Sequence, residues 1–256
     1  MRPYGLLGGR YDYLAPGHYQ FLSDHERENS RADYAEFQYH INDLGFRGGY
    51  PDPSNADILG FFGCSMTFGE GLDTPDNFPH VVSEHLGLDC LNLGLPGASA
   101  RRVALTFAAA LRIWPMRLAV VTLPSWTRTL YMDEQGYLKN LHLNYASKDK
   151  LREDYLRFVN DQHLLYESRE AVESIMVNAH LHGVTVIMTS WESITYEMIR
   201  AITHTDPPLY QLWDSGSSRN PDDYARDNAH PGPRLTRRYA LQLIRHIRNN
   251  NLLSTG

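Results

Sequence analysis

The chain has 256 residues, of which 42% are hydrophobic and 21% charged, a balance that suits one packed domain and excludes a disordered polypeptide. A net charge of −6 argues against a nucleic-acid binder, because phosphate neutralisation needs clustered Lys and Arg. The one dense basic stretch, Arg234, Arg237, Arg238, Arg245 and Arg248, has the spacing of a solvated helix face. No run approaches the length of a membrane span, and the N-terminus has no apolar run of secretion-signal length. A cytoplasmic chain is the default expectation. Cys64 and Cys90 are too few for a disulfide framework. His180 and His182 read as helix positions rather than as metal ligands.

Residues 1–56 are rich in Tyr, Gly and Pro and weakly periodic. Seven of the 16 tyrosines lie in the first 50 residues, which predicts an extension held by aromatic contacts onto a main domain spanning 57–256. From residue 57 the texture changes. Asp57–Phe62 reads as a buried strand, and Gly63–Gly69 as a turn. Asp76–Leu86 has a helical pattern. Cys90–Leu93 reads as a second strand and Ala98–Ile113 as a second helix, with Ser99 a candidate cap. Leu118–Leu123 is a third strand, stopped by Pro124. Lys150–His182 is helical, as one helix or two. Val184–Thr189 is a fourth strand and Leu209–Trp213 a short fifth. Pro231 opens a last helix that runs to Asn249. Continuous apolar strands alternating with helices predict an α/β fold, a parallel sheet covered on both faces. Ligands in such sheets bind beyond the carboxyl ends of the strands.

The chemistry-bearing motifs fall at those ends. Gly63-Cys-Ser65-Met-Thr67-Phe-Gly69-Glu-Gly71 follows the first strand. A serine on a tight strand-to-helix turn exposes its hydroxyl and leaves backbone N–H groups nearby to meet a developing oxyanion. A phosphate-binding loop would need a Lys that is missing. A dinucleotide fingerprint is only partly present, and Thr67 stands where a G-x-S-x-G elbow has its last Gly. An ordinary Gly/Ser turn is the competing reading. Asp227-Asn-Ala-His230 precedes the last helix. An Asp three residues before a His can take its Nδ1–H and leave Nε2 free to accept a serine proton. Asn92-x-Gly94-x-x-Gly97 follows the second strand, where a glycine lets a backbone N–H approach a bound acyl group.

Together these blocks resemble the SGNH, or GDSL-like, hydrolase superfamily over about residues 40 to 250. Gly63-Cys-Ser65-Met-Thr67 resembles its Gly-Asp-Ser-x-Thr block, Gly97 its second-block glycine, and Asp227-x-x-His230 its last block. Asn42-x-x-Gly45-Phe46-Arg47 is similar to a segment that often precedes such domains. The resemblance implies a three-layer, flavodoxin-like α/β/α fold with about five parallel strands. It also implies ester hydrolysis through an acyl-enzyme on Ser65. His230 is then the base, Asp227 its orienter, and the N–H groups of Ser65 and Gly97 part of an oxyanion hole. No metal or cofactor is required.

Two departures stand out. Cys64 replaces the family's Asp, and its side chain should point away from the site, which disfavours it as the nucleophile. The third-block Gly-x-Asn-Asp is replaced by Leu123-Pro-Ser125-Trp-Thr-Arg128, with no Asn to donate to the oxyanion. Either another donor substitutes, with Ser125, Thr127 and Arg128 the candidates by position, or activity is weak; Ser125 and Arg128 are candidate lining residues, with Arg128 alternatively a ligand for an anionic or sugar-acid substrate. Trp126 is expected to pack on the sheet end. The Tyr-rich segment and the polar insert 125–150 suggest a small polar ester, an O-acetylated sugar among them. The alternatives are a glycan-binding or structural module that has lost activity and an O-acyltransferase.

Overall fold

The computed structural model of the chain describes residues 16–134, 138–143, 150–208 and 223–253. Among them the elements run β1 (Gly17–Tyr19), α1 (Asp24–Asn29), β2 (Tyr39–Ile41), β3 (Ile58–Gly63), α2 (Ser65–Phe68), α3 (Phe78–Leu86), β4 (Asp89–Gly94), α4 (Ala100–Ala110), β5 (Met116–Leu123), β6 (Arg128–Met132), β7 (Leu138–His142), α5 (Lys150–Leu156), α6 (Asp161–His182), β8 (Thr185–Ser190), α7 (Ser193–Thr203) and α8 (Pro233–Asn249). The centre is a four-stranded parallel sheet in the order β4-β3-β5-β8. The expected fifth strand, Leu209–Trp213, lies outside the described residues.

Every residue of β3 is buried, as a strand covered on both faces must be. Its neighbouring rings show the layering. Phe61 meets Phe78 of α3 edge-on at 5.8 Å, and Phe62 meets Phe107 of α4 at 5.1 Å. Successive side chains of a strand point to opposite faces, so α3 and α4 cover opposite sides. Phe78 in turn meets Tyr239 of α8 at 5.0 Å, and α4 packs along α6. The result is a three-layer α/β/α arrangement. The five basic residues of the last stretch are all exposed, opposite the buried Leu235, Tyr239, Leu243 and Ile247.

Several boundaries differ from the sequence reading for local reasons. The long helical stretch is two helices, because the Asn160 side chain accepts from the N–H of His163 at 3.0 Å and caps α6. Pro231 pairs with Tyr224 in an isolated bridge, so α8 starts two residues later, with Pro233 in its first turn. The polar insert holds an antiparallel hairpin, β6 with β7. α7, capped by the Glu192 side chain, follows β8 directly.

Residues 16–47 grip the loops that follow β3 and precede α8. Tyr39 and Glu26 are both fully buried. The Tyr39 hydroxyl donates to Glu26 Oε1 at 2.6 Å and accepts the N–H of Gly71 at 2.6 Å. Arg226 donates to the same Glu26 oxygen at 2.6 Å and to the Gln20 carbonyl at 2.5 Å, with its guanidinium 4.0 Å from the centroid of Phe37. Removing one partner of a buried ion pair strands the other charge, at a cost of about 3–5 kcal/mol. Glu26→Ala should therefore lower the urea unfolding free energy by about that much. The double change Glu26→Leu with Arg226→Met should recover most of the loss.

Candidate active site

Ser65 is the first residue of α2, two positions beyond the end of β3. A four-residue helix has little intrinsic stability, and its last carbonyls need partners from elsewhere. The Asn92 amide donates to the Thr67 carbonyl at 3.0 Å, and the Asn77 amide to that of Phe68 at 2.9 Å. Buried Arg47 donates to the Gly69 carbonyl at 2.6 Å and the Leu72 carbonyl at 2.7 Å. That position explains the upstream Asn42–Arg47 motif. Asn42 Oδ1 accepts the N–H groups of Leu44 and Phe46, folding a turn that aims Arg47 at the end of α2. Gly94 has no room for a Cβ, because the backbone of Thr67 and Phe68 lies directly against it. Cys64 is fully buried in the hydrophobic core.

The Asp227–His230 loop reaches α2 from the other end of the chain. Asp227 Oδ1 accepts the N–H groups of Ala229 and His230, each at 3.1 Å. Oδ2 lies 2.5 Å from His230 Nδ1, and His230 Nε2 lies 2.8 Å from Ser65 Oγ, a residue 165 positions away. Serine, histidine and aspartate thus form one hydrogen-bonded line, with Asp227 buried and the imidazole 17% exposed. Glu70, named in the sequence motif without a role, places Oε2 at 3.8 Å from His230 Nε2. Its place in the loop after Ser65 was the only sequence signal for it.

Burial opposes charge on both members of the pair. It lowers the proton affinity of His230, but the Asp227 hydrogen bond and the charges of Glu70 and Asp227 outweigh it and hold His230 above the ordinary histidine value. Burial likewise pushes the Asp227 carboxyl up, and the hydrogen bond and charge of His230, with the two backbone N–H groups, leave it net below the usual carboxylate range. The ligand atoms of Glu70, Asp227 and His230 lie within 4.8 Å of one another. Within this cluster the two nitrogens of His230 are hydrogen-bonded to Asp227 and Ser65.

Gly97 follows β4 with φ 73°, a conformation that favours glycine. Among the described residues, neither its N–H nor that of Ser65 has an acceptor. The Gly97 carbonyl lies 3.1 Å from His142 Nε2. Burial and the charge of Arg128 lower the His142 pKa to about 4, so at neutral pH it is uncharged and donates its Nε2–H to that carbonyl. The Ser99 N–H donates to Asn140 Oδ1 at 3.0 Å, so the β6–β7 hairpin braces the Gly97 loop. Sequence reasoning missed this brace. Arg128 reaches the same loop. Ser125 is buried, with its hydroxyl 3.0 Å from that of Thr127. Trp126 packs with Leu141, Leu143 and Leu164. His180 and His182 are exposed in the last turn of α6.

No protein-family profile matches the sequence, and no curated protein matches it. Solved structures do match. A protein from Desulfitobacterium hafniense DCB-2, described as lipolytic and of the G-D-S-L family, aligns at TM-score 0.50 and 12% identity, over 75% of this chain and 99% of its own. The fold is that of the GDSL/SGNH hydrolases. The structure of TesA aligns over 75% of this chain and 98% of its own, at TM-score 0.50 and 16% identity. The acetyl xylan esterase Est2A from the rumen bacterium Butyrivibrio proteoclasticus aligns over 84% and 68%, at TM-score 0.50 and 12% identity. Within the GDSL/SGNH fold, the loops after β3 and β4 and the loop before α8 carry the residues described above.

In an NMR titration, the His230 ring should lose its proton above the pH of an ordinary histidine. Asp227→Asn and Glu70→Gln should each move that titration to lower pH, because each removes a negative charge that favours the imidazolium.

Proposed function

We propose that the chain is a serine esterase of the SGNH type that hydrolyses a small acyl ester, with acetyl the favoured group, through an acyl-enzyme on Ser65. The observation that carries this reading is the line from Ser65 Oγ through both nitrogens of His230 to Asp227. A serine hydroxyl is a weak nucleophile until a base takes its proton. Nε2 lies at hydrogen-bond distance for that transfer, and Asp227 fixes the tautomer that leaves Nε2 able to accept it.

His230 takes the Ser65 proton as Oγ attacks the ester carbonyl. The N–H groups of Ser65 and Gly97 receive the negative charge of the tetrahedral oxygen. His230 then protonates the leaving alcohol, and the sequence repeats with water to release the acid. Glu70 and Asp227 stabilise the imidazolium formed in both halves. The oxyanion hole lacks the family's third-block Asn, which favours slow turnover; one such donor is worth roughly 100- to 1000-fold. An acyltransferase shares the first half-reaction and is distinguished by product analysis with an acceptor sugar present.

Ser65→Ala should reduce the release of p-nitrophenol from p-nitrophenyl acetate by roughly a thousandfold or more. Rates equal to wild type would remove the proposal. Because only neutral His230 can accept the proton, kcat/KM should rise with pH through a pKa above the ordinary histidine value. Glu70→Gln should move that acid limb to lower pH. A flat profile, or a limb that ignores Glu70, would contradict the assigned base. Acetyl turnover well above octanoyl turnover is expected of a small acyl pocket.

A further inference from the structure

We propose that the substrate of this site is an ester that carries a carboxylate, and that Arg128 binds it. The proposal rests on the esterase reading above and extends it from reaction to substrate class.

The placement of Arg128 comes from the sheet order. Its guanidinium donates to the Ala98 carbonyl at 3.5 Å, in the loop after β4, and lies 5.7 Å from the ring centroid of Trp191, the residue after β8. Among the described residues β4 and β8 are the outer strands of the parallel sheet. A group that touches loops following both outer strands spans the carboxyl ends of the two middle strands, and one of these, β3, leads to Ser65. Arg128 therefore lies over the end of the sheet where a substrate ester would sit.

Its bonding leaves it open. A guanidinium has five N–H donors, and Arg128 uses one, in a long bond. No carboxylate among the described residues pairs with it. Arg226, by contrast, pairs with Glu26 and Arg234 with Asp223. The side chain is half-buried, and a partly desolvated charge without a counter-ion is costly unless a ligand supplies one. The indole face of Trp191 orients the cation and leaves its planar fork available to a carboxylate.

The surroundings favour a single negative charge. His142, the nearby titratable ring, is uncharged at neutral pH. Glu70, beside His230, repels an anion from the triad. A carboxylate is therefore directed toward Arg128 while the neutral ester carbonyl faces Ser65. A dianionic phosphate would leave one of its charges unmatched by the single guanidinium.

The test compares two matched ester pairs. 4-Acetoxybenzoate against 4-acetoxybenzamide places the charge on the alcohol side. Mono-4-nitrophenyl adipate against 4-nitrophenyl hexanoate places it on the acyl side. In one pair the anionic ester should be preferred by about tenfold or more in kcat/KM, and the responding pair tells which side bears the carboxylate. Added salt should shrink the preference. Arg128→Gln should bring the ratio near one, and Arg128→Lys should keep part of it. Ratios near one in the wild type, or a preference that survives Arg128→Gln, would overturn the proposal. A readout without turnover separates it from the esterase reading. In NMR titrations of the Ser65→Ala protein, 4-hydroxybenzoate should bind about tenfold more tightly than 4-hydroxybenzamide, and the added Arg128→Gln change should abolish the difference. That difference without any ester hydrolysis would retain the anion site and reject the esterase. Hydrolysis without discrimination, and no difference in binding, would reject the anion site alone.

Discussion

The residue before Asp227 is an arginine that the protein buries almost completely, and much of the site depends on how that charge is satisfied. Arg226 shares one oxygen of Glu26 with the Tyr39 hydroxyl, and that hydroxyl accepts the backbone N–H of Gly71, six residues beyond Ser65. The Arg226 N–H donates to the Gly71 carbonyl at 2.9 Å. One buried cluster thus ties the segment after the serine to the segment that carries aspartate and histidine. Ser65 stands on a helix of only four residues, and Asp227 and His230 lie within the turn closed by the Tyr224–Pro231 bridge. Their common attachment to Glu26 and Tyr39 sets the distance between a hydroxyl and an imidazole that the chain separates by 165 positions.

Much of this was legible in the sequence because it rests on local patterns. The four apolar runs that became β3, β4, β5 and β8 are continuous because both faces of the sheet are covered. Ser65 and the Asp227–His230 pair could be singled out because each stands in a short motif of its own. The brace was not. Glu26, Tyr39, Arg226 and His142 act through partners 13 to 200 residues distant, and no periodicity records such a pairing. The β6–β7 hairpin escaped for a related reason. Its strand residues are mostly half-buried, so the inside–outside alternation that marks a strand is weak. The motif around Arg47 was recognisable as a resemblance, but its reason lies in three-dimensional contact with the carbonyls after α2.

The departure at the third block takes a physical form here. After β5 the Ser125 hydroxyl lies against that of Thr127, and the Arg128 guanidinium reaches the Ala98 carbonyl. The hairpin begun by Arg128 returns at His142 to fix the Gly97 carbonyl. The Gly97 loop is thereby braced from behind by the hairpin. In the proposed reaction such a brace would hold the Gly97 N–H in place as charge develops.

The proposed reaction requires that His230 make Ser65 Oγ nucleophilic. The most direct measurement is covalent capture: incubation with a fluorophosphonate, followed by peptide mass spectrometry. One adduct is expected, on Ser65, formed at a rate that falls steeply in His230→Ala. An adduct on any other residue, or labelling of Ser65 that is indifferent to His230, would contradict it.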